Sequence, residues 1–237
     1  MQLILRDSAT EQDLVVLDVC GPNMGGQGIT LMSGFSGLMH APRTAISESW
    51  AYQEGATPSD FPRVDPRIVD LRLGTRGDTP ELWEKIDSML WQVLGFKHDA
   101  YLRWYSKNGK QWRELKVRLD RKPNDKMTYD PRVTKYMIWD VTLVAYDPWW
   151  YSSTLTSTWI NSDGSGQGTV ILENPADQEC WVQWSGGRLV NNETWTLPDA
   201  LGVYPDRHSK AGQLVTHTLP TLGAQHGGFL VDSHPLA

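Results

Sequence analysis

The chain has 237 residues, 40% of them hydrophobic and 21% charged, which is ordinary globular composition with room for one large or two modest cores. A net charge of −6 argues against a dedicated nucleic-acid binder, and the absence of any apolar run near the roughly 20 residues a spanning helix needs argues against a membrane protein. The start, Met1-Gln-Leu-Ile-Leu-Arg-Asp7, lacks a basic region and a sustained apolar run, so it does not read as a signal peptide and synthesis in the cytosol is expected.

In chain order, residues 1–20 alternate like a first strand or hairpin, with Leu14, Val15, Val16, Leu17 and Val19 expected to be buried. The glycines from Gly21 to Gly37 read as turns around a short strand at Ile29–Met32. They lack the Gly-Lys-Ser/Thr of a phosphate loop. A long hairpin follows, with a polar tip around Gln53–Arg63 and a return strand at Arg67–Leu73, in which Ile68 faces away from Val69, Leu71 and Leu73. One helix is expected over 79–94. Asp78 or Thr79 caps it, Pro80 opens it, and Leu82, Ile86, Met89, Leu90 and Val93 draw its apolar stripe, with Trp83 at the border and Gly95 as a left-handed cap. Asn108-Gly109 between two alternating runs predicts a hairpin from Tyr101 to Leu119. The strand Val133–Tyr146 completes the unit and stops at Asp147-Pro148, before Trp149, Trp150 and Tyr151.

Charge steps down at that point. Residues 1–150 hold 19 basic and 20 acidic residues, a net of −1, whereas residues 151–237 hold 3 and 8, a net of −5. Residues 152–168 read as a linker. Short strands are then expected near Thr169–Leu172, Cys180–Trp184, Thr194–Leu197, Leu214–Leu219 and Phe229–Val231, with a turn at Gly186-Gly187, forming a second β-sandwich over 169–237. The fold class is therefore mainly β: a β-sandwich or barrel with one packed helix and a long hairpin arm over 1–151, then a second sandwich. Cys20 and Cys180 read as two buried free thiols.

No catalytic, cofactor or metal site emerges. His208, His217, His226 and His234 form no HxH, HxxxH or HExxH pattern, no GxSxG is present, and carboxylate pairs cannot be singled out among so many acids. From Arg103 to Lys122 eight basic residues face two acidic ones, interleaved with Trp104, Tyr105 and Trp112. That stretch admits three readings: a single-stranded nucleic-acid platform, a subunit interface, or a solvated strand face with Leu115, Val117 and Leu119 turned inward. The interface reading singles out Arg63, Arg67, Arg113, Lys116 and Arg118. Twelve Trp residues also admit a carbohydrate-binding reading, with Trp181, Trp184 and Trp195 as candidate stacking faces.

Taken together, Gln53-Glu-Gly55, Arg67-Ile-Val-Asp-Leu-Arg-Leu-Gly74, the helix Glu81–Leu94, the hairpin Tyr101–Leu119 and the ending Asp140–Tyr151 resemble the siphophage distal tail protein family, also known as minor tail proteins. The resemblance covers most of 1–151. It implies a tail-tube-like domain that closes into a homo-hexameric ring, with a hairpin arm over about 43–67 reaching around the neighbouring subunit. It also implies a galectin-like second sandwich, for which 169–237 is short and is expected to be incomplete. Implied partners are further copies of the chain, the tail tube protein, the tail-tip hub or tail-associated protein and the tape measure protein. DNA would only pass through the lumen, no membrane or cofactor is involved, and the location is the tail tip of the virion. On this view the basic hairpin sits between subunits, and a lumen lined by Arg113, Lys116 and Arg118 would contradict it. The alternative is a carbohydrate-binding β-sandwich protein of the host-adhesion apparatus; a small glycan hydrolase is the third class.

Overall fold

The computed structural model describes residues 1–59, 63–106, 111–124, 127, 129–160, 162, 166, 168–173, 182–187, 193–198, 213 and 215–232. The chain divides into two compact units, Met1–Ser153 and Thr154–Ala237.

In the first unit the strands are β1 (Gln2–Arg6), β2 (Asp13–Asp18), β3 (Ile29–Leu31), β4 (Arg43–Thr44), β5 (Ser47–Glu48), β6 (Thr57–Pro58), β7 (Arg63–Val64), β8 (Arg67–Arg76), β9 (Ala100–Tyr105), β10 (Trp112–Leu119) and β11 (Tyr136–Ala145). Helix α1 (Pro80–Val93) follows β8, and the single turn α2 (Pro131–Thr134) precedes β11. Seven strands form one antiparallel sheet in the order β2-β1-β9-β10-β11-β8-β3. The sheet curls until its edges meet, and Leu31 N–H donates to Val19 C=O at 2.7 Å, which makes it nearly a barrel. Next to this closure the Gln27 carboxamide stands in for a strand: its Oε1 accepts from Asp18 N–H and its Nε2 donates to Val16 C=O, each at 2.9 Å. The exposed edge of β2 is thereby partly capped.

Period-two alternation fixes which side chains enter the barrel. Along β8, Val69, Leu71, Leu73 and Thr75 point in while Ile68, Asp70 and Arg72 point out; ten rungs with β11 hold that register. Leu14 does not follow the expected inward run. The register shifts between Leu5 and Arg6, so Leu14 has no cross-strand partner and stands exposed, whereas Leu17 and Val19 are buried. Cys20, expected to be buried, is exposed; Cys180 lies outside the described residues.

Helix α1 closes one side of the barrel. Thr79 caps it by accepting from Leu82 N–H, and Pro80 occupies the first turn, where a missing N–H costs nothing. Its buried face is Trp83, Ile86, Leu90 and Val93, with Leu82 left exposed. Trp83 takes the inward place because its Nε1 donates to the buried Thr75 Oγ1 at 3.1 Å. Asp87 anchors the same face: it accepts from Trp139 Nε1 (2.7 Å), Trp91 Nε1 (2.9 Å) and Thr75 Oγ1 (3.2 Å). Gly95 is not a left-handed cap, because Leu94 ends the helix in extended conformation. A Cβ at Gly95 would instead press on the His98 ring, 2.2 Å from its Cε1, so the imidazole would have to shift to admit a side chain there.

The aromatic run after Pro148 folds back on the unit. Trp150 Nε1 donates to Leu38 C=O at 3.0 Å, and Tyr151 exchanges two backbone hydrogen bonds with Glu114 at 2.6 and 2.8 Å. Burial, and then the 2.7 Å hydrogen bond to Asp147, push the Tyr151 hydroxyl up to about 12.

In the second unit β12 (Gln183–Gly187) pairs with β15 (Gly228–Asp232), and β13 (Thr196–Pro198) with β14 (Thr216–Thr218). Thr169–Leu172 is not a strand. Gly186 and Gly187 continue β12 instead of turning. Phe229 lies across Gly186, where a Cβ would come within 2.3 Å of its ring, so a glycine is needed there to let the ring down onto the strand.

Candidate assembly surfaces

The most exposed element is the arm. β4 pairs with β7 and β5 with β6, so the chain leaves the sheet after Pro42 and returns at Asp65, where Asp65 N–H donates to Pro42 C=O at 3.1 Å. Residues 43–59, 63 and 64 are all exposed, on both faces of the ribbon. Its tip is nonetheless ordered by local bonds. Trp50 N–H donates to Gln53 Oε1, Gln53 N–H to Trp50 C=O, and Gln53 Nε2 to Thr57 Oγ1. Gly55 at φ +88 and Tyr52 at φ +73 make the bend, and the second is a left-handed conformation that costs a non-glycine residue about 1 kcal/mol or more. Trp50 is 72% exposed and Tyr52 wholly so, with Ile46 and Val64 also open to solvent. Among the described residues neither Glu48 nor Glu54 forms an ion pair.

The second surface is the outer face of the sheet over β1, β2, β9 and β10. Glu114 is buried there, its carboxylate gripped bidentately by Arg6 (3.0 and 2.8 Å) and by Arg103 Nε at 2.6 Å. Both guanidiniums also reach Asp13, at 2.8 and 2.9 Å. Arg6 lies over the Tyr101 ring at 4.4 Å, and Arg103 over Trp112 at 5.1 Å. Burial works to raise the Asp13 pKa, but the hydrogen bonds from Arg6 and Arg103 outweigh it and hold the carboxyl below its ordinary value. Farther along β10, Lys116 Nζ (3.0 Å) and Arg118 Nη2 (2.6 Å) share one carboxylate, Asp99, which is likewise held low against the effect of burial.

The residues singled out from sequence are thus distributed unevenly. Lys116 and Arg118 stand together on the outer face. Arg113 is exposed but has the opposite strand parity, so it points to the other side of the sheet. Arg63 sits at the arm base, paired with Asp65 at 3.0 Å. Arg67 corrects the expectation of an interface residue: it is buried, donating to the carbonyls of Pro148 (2.9 Å), Leu38 (2.8 Å) and Gly37 (3.2 Å), so its guanidinium is engaged inside the unit. Alternation alone does not reveal that role, since its acceptors come from distant loops. Sequence reasoning also missed the Arg6–Asp13–Arg103–Glu114 network, which joins four strands.

In the second unit Trp181 lies outside the described residues. Trp184 and Trp195 are partly buried, and their indole N–H groups donate to Pro198 C=O (3.1 Å) and Glu193 Oε2 (3.2 Å). Trp195 packs edgewise on Trp159 at 6.1 Å and tilted on Phe229 at 5.4 Å, an arrangement that fills space between strands. His226 Nδ1 accepts from Gly223 N–H at 2.9 Å. Among the described residues no group of His, Cys, Asp and Glu is placed to hold a metal ion, and no helix is long and apolar enough to cross a membrane.

No family model matches the sequence, and no curated protein does. Among solved structures, the Dit protein of phage SPP1 is similar at 11% identity and a TM-score of 0.48, over 98% of this chain and 79% of that one. It is described as a paradigm of the hub adsorption apparatus in phages infecting Gram-positive bacteria. The likeness is to phage hub and baseplate proteins. A chain of the phage p2 baseplate in its activated conformation with strontium matches at 9% identity and a TM-score of 0.45, and the same baseplate with calcium at 10% and 0.45. Each spans 100% of this chain and 81% of its own.

Proposed function

We propose that this chain is a structural, non-catalytic component of a phage tail tip, in which six copies close into a ring that joins the tail tube to the hub and adhesion apparatus. The observation that carries the reading is the arm. A two-stranded ribbon is marginally stable in water, and this one offers Ile46, Trp50, Tyr52 and Val64 to solvent, with every described residue of 43–64 exposed. Such an element gains its stability by lying on another subunit, and repeated head-to-tail clasping closes a ring. The order of sequence features resembling distal tail proteins selects the hexamer and its setting. The tail tube protein, the hub or tail-associated protein and the tape measure protein are its expected neighbours, in the virion.

Passage of DNA through the lumen agrees with the charge arrangement. Arg6, Arg103, Lys116 and Arg118 are matched by Asp13, Glu114 and Asp99, so the phosphate affinity suggested by the basic hairpin is largely cancelled within the fold. The test is to replace residues 45–62 with a two-residue turn and weigh the particles by light scattering. The barrel should keep its melting temperature while assembly is lost. Retention of the full assembly without the arm would overturn the reading.

A further inference from the structure

Resting on the ring reading, we propose that the arm of one copy docks on a specific strip of the next: the outer face of β10, β11 and β8 built from Lys116, Arg118, Ile68 and Tyr146. The strip follows from register. Arg118 pairs with Val144 and Val144 with Ile68, which sets these three on one row across three strands. Lys116 lies two residues before Arg118 and Tyr146 two residues beyond Val144, just past the end of β11. In the antiparallel register both steps run the same way, so the two stand side by side and extend the face in one direction. Ile68 is 42% and Tyr146 70% exposed, so apolar surface adjoins the two cations. Those cations share the single carboxylate of Asp99, which leaves one positive charge over at the β10 side of the strip, while the next row along the same face, Asp70 and Asp120, is acidic and bounds it.

The arm is complementary in both respects. Between Thr44 and Pro62 the sequence holds three acids, Glu48, Glu54 and Asp60, and no base. Ile46 and Glu48 share strand parity, placing an apolar and an acidic side chain side by side on one face, with Trp50 just beyond. Opposite charges flanked by apolar contact set register as well as attraction. Since the arm is exposed along its whole described length, it does not cover the strip on its own chain. About ten residues per strand give it a reach of roughly 30 Å, enough to cross onto an adjacent copy.

The experiment uses full-length chains with reversed charge on each side: K116E with R118E on the strip, E48K with E54K on the arm, and all four together. Particle mass is followed by light scattering across a dilution series. Each pair alone should raise the concentration for half-assembly at least about tenfold, and the four together should restore assembly. That restoration also guards against a folding defect, because arm lysines cannot repair a misfolded barrel. If wild type assembles and neither reversal shifts the curve, the strip is wrong while the ring stands. If wild type is monomeric at every concentration, the ring reading and the strip fall together.

Discussion

At Glu114 a carboxylate is removed from water and compensated by two guanidiniums, one of them bidentate. Removing one partner of such a buried set leaves uncompensated charge, so Glu114→Ala should cost about 3–5 kcal/mol by chemical denaturation. A value under 1 kcal/mol would mean that the network does not fasten β1, β9 and β10. Asp13 and Asp99 predict a pH response. Their folded pKa values are lowered, so their contribution is present above the unfolded carboxylate value of about 3.9 and is lost as pH falls through the folded values. Denaturation midpoints should therefore drop below about pH 4, and Asp99→Asn should flatten part of that drop. An unchanged acid profile in that variant would remove Asp99 from the account. Much of this was hidden at the sequence level. The run from Arg103 to Lys122 displays eight cations against two acids, yet Asp13 and Asp99, which neutralise it, lie outside the run and meet it only through strand pairing. Arg67 looked like one more exposed cation for the same reason.

Elements were more legible than their ends. The stripe from Ile86 to Val93, the Thr79 cap and Pro80 announced α1, and the alternation of 139–145 announced β11, because burial on one face imposes those periods. Glycines were less readable, since sequence does not distinguish a turn from a close approach. The loop packed against β8 shows both. Gly34 and Gly37 have φ of +99 and +82, but a Cβ at Gly34 meets nothing within 4 Å, whereas one at Gly37 would lie 1.9 Å from Ile68 O. Gly34→Ala should cost about 1–2 kcal/mol from backbone strain alone. Gly37→Ala should cost at least about 1–3 kcal/mol more, since the loop must leave β8. Equal melting temperatures for the two variants would contradict that packing. Gly186 misled in the same way: its role is to admit Phe229, and the expected turn there is a strand.

For the whole molecule, the mainly β architecture with one packed helix could be read from pattern, because each element's period agrees with its burial. What the pattern could not supply was closure, which depends on the contact of Leu31 with Val19 between strands that are not neighbours in the sheet order. The second unit was read least well. Its short strands and many turn residues carry weak periodicity, and Trp184 and Trp195, offered as sugar platforms, are fastened within the unit. Assembly is the property on which the account stands, and an arm with both faces in water is hard to explain otherwise. The most direct measurement is the mass and shape of the purified full-length chain, by light scattering and negatively stained images. Closed rings of six copies of 26.8 kDa, about 161 kDa, are expected, and they should come apart when the arm is removed. A strict monomer at high concentration, arm intact, would contradict that expectation.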